Sequence, residues 1–84
     1  MPRHFVYLVR CADGTLYTGY STDVARRVSV HNSGKGAKYT RSRLPVVLVA
    51  HWEYPSRGEA LSAEHRIRRM RPAAKLALLP GDSP

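Results

Sequence analysis

Apolar residues run from Phe5 to Val9 and resume at Cys11, a β-rich stretch with apolar side chains at both odd and even positions. Such a run reads as a central strand covered on both faces. Ala12-Asp13-Gly14 follows as a turn, and Thr15 to Tyr20, with β-branched and aromatic residues, reads as a second strand. The pair is a hairpin, and its loop length decides which side chains share a face. A two-residue loop pairs residue 12 with 15 and sends Tyr7 and Tyr17 to opposite sides. The Asp-Gly sequence better suits a three-residue loop, a type I turn with Gly14 in the left-handed conformation. Cys11 then faces Thr15, Val9 faces Tyr17 and Tyr7 faces Gly19. Tyr7 and Tyr17 become diagonal neighbours on one face, roughly 7–8 Å apart at the backbone. Gly19, opposite Tyr7, leaves room for a ring or a phosphate.

Beyond the hairpin the period changes. Ser21-Thr22-Asp23 offers an N-cap and a first-turn acid, and a helix runs through Val24, Val28 and His31 until Asn32-Ser33-Gly34 ends it. Residues 33–45 read as a polar, basic, glycine-containing loop closed by Pro45, long enough to serve as a functional surface. Val46 to Tyr54 is a third strand. Ser56 and Glu59 form a capping-box pattern at the start of a second long helix, which ends near Arg71. Pro72 opens a short last helix, Ala73 to Leu79. Pro80 to Pro84 reads as a disordered tail, leaving residues 1–79 as one domain. The order ββαβα plus a short C-terminal helix predicts an α+β fold, a small three-stranded antiparallel sheet flanked by helices.

Charge changes the picture from fold to partner. Fourteen Lys and Arg against six Asp and Glu leave +8 on 84 residues. That excess favours a polyanion, and eleven of the fourteen cations are arginines, suited to bidentate phosphate contact. A single cysteine, Cys11, excludes an intrachain disulfide framework and a Cys-based zinc site. No segment approaches the ~18 apolar residues of a membrane span. Arg10 breaks the N-terminal apolar run before it could act as a signal peptide. The expectation is a cytoplasmic protein with no membrane partner.

Two helices add polar groups that bear on chemistry. Arg27 and His31, four residues apart, stack on one side and flank the stripe of Val24 and Val28, whereas Arg26 points away. The structural alternatives are an ion pair of Arg27 with Asp23 and a C-terminal, dipole-favoured role for His31. Ala60, Ala63, Ile67 and Met70 form the apolar stripe of the second long helix, and Glu64 projects within it. A carboxylate there needs a partner. That partner is either Arg68, at i+4, or one divalent cation, for which Mg²⁺ or Mn²⁺ suits a lone hard carboxylate with water.

Together these residues resemble the GIY-YIG nuclease superfamily, in particular its small stand-alone members. The first signature triplet falls on Phe5-Val6-Tyr7, of which only the tyrosine is kept, and the second on Tyr17-Thr18-Gly19. The family arginine matches Arg27, the helix aromatic or histidine matches His31, and the metal-binding glutamate matches Glu64. The likeness spans residues 4 to about 79. The chain departs from some relatives at Tyr20, where they carry lysine, and near Leu76, where they carry asparagine.

The resemblance implies metal-dependent hydrolysis of DNA phosphodiester bonds, with roles in repair or recombination. Tyr17, assisted by Tyr7, would deprotonate or orient the attacking water, its pKa lowered by Arg27 and the metal. Glu64 would hold one Mg²⁺ or Mn²⁺. Arg27 would stabilise charge on the phosphate, and His31 would bond the phosphate or the water. Lys35, Lys38, Arg41 and Arg43, with Tyr39 among them, would hold the backbone of branched or single-stranded DNA. A protein partner would supply specificity. The rival readings are a non-catalytic nucleic-acid-binding module and a structural protein whose Glu64 is merely paired to Arg68.

Overall fold

The structure, a computed structural model, describes residues 3–79. It has the expected α+β architecture. Strand β1 (His4–Arg10) lies between β2 (Leu16–Ser21) and β3 (Val47–Tyr54) in an antiparallel sheet of order β2-β1-β3. Helices α1 (Val24–Asn32), α2 (Lys38–Arg41), α3 (Arg57–Arg68) and α4 (Pro72–Leu76) complete the order.

The unbroken apolar run of β1 reflects its central place. Val6 and Leu8 pack with Ala60, Ala63 and Ile67 of α3. Tyr7 and Val9 pack on the opposite face with Val24 of α1, and Phe5, Tyr17 and Val28 join them. Two small cores therefore sit back to back across one sheet, each excluding water from one side of β1.

The hairpin has the predicted three-residue loop. Gly14 has φ +86°, a conformation that costs glycine nothing. Asp13 Oδ1 accepts from the Thr15 amide at 3.0 Å, and the register sets Val9 against Tyr17 and Tyr7 against Gly19. Strand β3 pairs with β1 through a register shift at Leu8/Val9, where Leu8 faces Ala50 and Val9 faces Leu48. Val49 is the extra residue of that bulge.

Several element ends differ from the sequence reading. Asp23 is itself the N-cap of α1, accepting from the Arg26 amide at 3.1 Å, so no acid sits in the first turn. The segment read as a loop holds the single turn of α2. Val46 stands outside β3 because the Asn32 amide takes both its backbone groups, Val46 N–H to Oδ1 at 2.7 Å and Asn32 Nδ2 to the carbonyl at 3.0 Å. Helix α3 stops at Arg68, with Arg69 as its C-cap, and Arg71, before Pro72, takes an extended conformation that keeps the helix from resuming there. Helix α4 starts on Pro72 as expected but ends at Leu76. The tail expected at 80–84 lies outside the described residues. Among the described residues no helix is long and apolar enough to cross a membrane.

Candidate active site

Order β2-β1-β3 makes β2 an edge strand. A cleft of about 470 Å³ straddles this edge, lined by Tyr7, Tyr17, Gly19, Arg27, His31 and Glu64, with Lys35 and Gly36 at its margin. Every residue expected to take part in chemistry thus reaches one cavity, from β1, β2, α1 and α3.

Of the two occupants expected for the room at Gly19, a ring or a phosphate, the structure holds the ring. A Cβ built there would overlap the Tyr7 hydroxyl and ring. The room that glycine leaves is occupied by Tyr7 itself. Gly36, not singled out from the sequence, does the same for His31, because a Cβ there would overlap the imidazole. The chain can fold over the end of α1 because Gly34, at φ +83°, turns it back. The amide of Gly34 donates to the His31 carbonyl and that of Lys35 to the Val30 carbonyl.

The centre of the site is a buried hydrogen-bonded chain. Tyr7, His31 and Thr40 are 2 %, 1 % and 0 % exposed. Tyr7 Oη lies 2.8 Å from His31 Nε2, and His31 Nδ1 lies 3.0 Å from Thr40 Oγ1. Thr40 has one hydroxyl proton and donates it to the Ala37 carbonyl at 2.9 Å. It therefore accepts from His31 Nδ1–H. The neutral ring then has its lone pair on Nε2 and receives the Tyr7 O–H.

The electrostatics agree with that assignment. Burial, then the Arg27 charge, holds His31 below the ordinary histidine value, so the ring is neutral near pH 7. Burial, followed by Tyr17 and Glu64, pushes the Tyr7 phenol well above its ordinary value, although Arg27 opposes this. The lowered pKa was expected of Tyr17, the base; for Tyr7, its expected assistant, the direction is upward. The expectation that His31 touches phosphate or water is corrected. Both ring nitrogens are held by protein groups, and the ring is fixed rather than offered as a C-terminal cation.

Tyr17 differs from Tyr7. Its ring meets His31 edge-on, with centroids 5.4 Å apart, and stacks on Tyr39 at 5.9 Å. Among the described residues its hydroxyl has no hydrogen-bond partner. Arg27 is exposed, and no ion pair with Asp23 forms; Asp23 is committed to the helix cap. Its guanidinium is free to meet an anion. Arg26 does not line the cleft, as expected.

Of the two partners posed for Glu64, the structure shows Arg68. The Glu64 side chain is 16 % exposed, and Arg68 Nη2 donates to Oε2 at 2.7 Å. The cleft nevertheless remains open beside it, and no protein donor reaches Oε1 among the described residues. No group of three or more His, Cys, Asp or Glu gathers among those residues. The donor set is one carboxylate with phenol oxygens nearby. It fits one Mg²⁺ or Mn²⁺ completed by water and substrate oxygens, and it does not fit a closed structural metal site.

The basic loop divides. Lys35 lines the cleft, whereas Lys38 and Arg41 are exposed on α2. Arg43 is spent internally, which departs from its expected role on DNA. Its Nε donates to Asp13 Oδ2 at 3.0 Å, its Nη1 donates to the Tyr39 carbonyl at 2.7 Å, and its guanidinium sits 3.9 Å over the Tyr39 ring. It ties the loop to the hairpin turn and so presents Tyr39 to Tyr17. Thr40 and Gly36 were invisible to the sequence reading. The Gly34-Lys35-Gly36 spacing after α1 is the one sequence signal that could have pointed to a close approach here.

Residues 3–75 match the model of the GIY-YIG catalytic domain. The chain is 53% identical over 75 residues to the UPF0213 protein VNG_2274C of Halobacterium salinarum, covering 89% of this chain and 97% of that one. The solution structure of the UPF0213 protein BH0048 from Bacillus halodurans is similar, with 50% identity, TM-score 0.59, and 90% and 81% of the two chains covered. That of the protein EF2693 from E. faecalis is similar at 38% identity and TM-score 0.61, covering 89% and 80%.

Proposed function

We propose that this chain, which belongs to the GIY-YIG catalytic domain family, is a divalent-metal-dependent endonuclease that hydrolyses DNA phosphodiester bonds. The observation that carries this reading is the convergence of Tyr7, Tyr17, Arg27, His31 and Glu64 on one cleft at the edge of β2.

The proposed mechanism starts from the Tyr7–His31 bond. As the attacking water yields a proton to Tyr7 Oη, Tyr7 passes its own proton to His31 Nε2. A phenol this buried does not need to exist as free phenolate, because proton uptake and release occur together. Thr40 holds Nδ1–H throughout and so keeps Nε2 as the acceptor, the orienting role that a general base requires. Tyr17, with its hydroxyl unengaged, orients the water or a phosphate oxygen. Arg27 meets the non-bridging oxygens and is stabilising most where charge builds in the transition state. Glu64 would hold one Mg²⁺ or Mn²⁺ through Oε1, with Arg68 fixing the other oxygen. When bound, the ion supplies charge neutralisation of the scissile phosphate and eases departure of the 3′ oxygen. The exposed Lys38 and Arg41 guide the strand, and a protein partner supplies specificity.

The test is single-turnover cleavage of labelled branched and single-stranded DNA with Mn²⁺ and with EDTA, for the wild type and Glu64→Ala. Cleavage that requires Mn²⁺ and Glu64 supports the proposal. Binding without metal-dependent cleavage in the wild type would instead assign a nucleic-acid-binding module that keeps the fold. In that case the Glu64–Arg68 pair is a structural one.

A further inference from the structure

Beside the cleft, and sharing Tyr17 with it, lies a second cavity of about 460 Å³ lined by Tyr17, Thr18, Ala37, Tyr39, Arg68 and Lys75. Tyr17 and Ala37 line both cavities, so the two adjoin along β2.

Two of its lining side chains, Lys75 and Thr18, lack a hydrogen-bond partner among the described residues, and Arg68, more than half exposed, is only partly engaged. Lys75, on α4, is 9 % exposed, and no carboxylate pairs with it among the described residues. Burial, then the charge of Arg68, lowers its pKa from the ordinary lysine value. A lysine this enclosed is normally paired, and here the charge acting on it is another cation, Arg68. Thr18 is 2 % exposed, and its Oγ1 is the one buried side-chain polar atom without a hydrogen-bond partner among the described residues. Arg68 spends Nη2 on Glu64 and, at 3.4 Å, on the Thr18 carbonyl, leaving Nη1 and Nε unused. An anion in this cavity relieves the repulsion between Lys75 and Arg68.

We infer that this pocket is a phosphate subsite, in which Lys75 and Arg68 receive the phosphodiester next to the scissile one on the same strand. The delivering strand rests on the nuclease reading; the anion pocket itself does not. Arg68 lies one helical turn beyond Glu64, a rise of about 6 Å. One side chain thus touches the glutamate of the first site and faces the anion of the second. The Tyr17–Tyr39 stack forms the apolar wall between them, a surface on which a base can lie. Binding at the second site positions the strand over the first.

The experiment separates this inference from the nuclease reading. With EDTA present, so that no strand is cut, the affinity of a short single-stranded oligonucleotide is measured over a NaCl series for the wild type, Lys75→Gln and Lys75→Arg. Loss of one phosphate contact flattens the log–log salt slope by about 0.7. Affinity at low salt falls roughly tenfold for a lost charge-assisted contact. Lys75→Arg, which keeps the charge, retains the slope. In parallel, inorganic phosphate is titrated into the ¹⁵N-labelled wild type, an arm that needs no variant to fold. The amides of Thr18 and Lys75 are expected to shift. An unchanged slope in Lys75→Gln together with silent Thr18 and Lys75 amides overturns the subsite, even if the wild type cleaves DNA. Phosphate shifts at both amides in a protein that cleaves nothing keep the anion pocket and remove the nuclease reading.

Discussion

Tyr7→Phe removes a single hydroxyl and keeps the ring that Gly19 accommodates, so it isolates the buried chain on which the mechanism depends. In the wild type that hydroxyl donates to His31 Nε2 at 2.8 Å, with both residues at 2 % exposure or less. Phenylalanine leaves Nε2 as a buried acceptor without a donor, which costs roughly 1–3 kcal/mol. For a domain of this size each kcal/mol moves Tm by roughly 4–8 °C, so Tm is expected to fall by roughly 5–20 °C. His31 also changes. The lost bond had favoured the neutral ring, so its pKa rises toward the ordinary histidine value, as read by NMR of the ring protons. Catalysis loses its proton acceptor, and single-turnover cleavage drops by roughly 10²–10⁴-fold. DNA affinity, supplied by other residues, stays within a few-fold. Full cleavage in Tyr7→Phe would refute the relay. An unchanged Tm and an unshifted His31 would refute the buried bond itself.

Gly19→Ala places a methyl against the Tyr7 hydroxyl and ring. Overpacking of this kind costs roughly 1–3 kcal/mol, to be read in urea unfolding, and cleavage falls with it. The pH dependence follows His31, whose folded pKa lies below the ordinary value. Its neutral form is the one the fold favours. Its contribution to stability is therefore present above the unfolded pKa of about 6.5 and is lost as pH falls through the folded value. Cleavage rates should show an acid limb below pH ~6.5, and Arg27→Ala, which removes one depressing charge, should move that limb upward. Replacing Lys38 and Arg41 together by Ala should flatten the log–log salt slope of DNA affinity by about one to two units; an unchanged slope places the strand elsewhere.

The sequence by itself determined what short-range chemistry controls. Ala12-Asp13-Gly14 selects its turn within three residues, and the two-residue period of a strand then carries that choice along the whole hairpin. The facing of Tyr7 and Gly19 was legible for that reason. The Ser56 cap of α3 and the proline start of α4 were local in the same way. Helical spacing placed Arg27 with His31 and put Glu64 on a covered face. What Glu64 covers was not legible, because it depends on α3 packing across from α1 with β2 at the sheet edge.

The roles of His31 and Arg43 were likewise decided by tertiary contacts. His31 is fixed by Thr40, nine residues away across an irregular loop, and by Tyr7 from another strand. Arg43 is claimed by Asp13 across thirty positions of chain. Periodicity describes neighbours along an element, and it says nothing about where an irregular segment returns. Tautomer, ion pairing and the direction of a pKa shift follow from those returns. They depend on burial and on charges brought close in space, quantities that exist only once the two faces of the sheet have been covered.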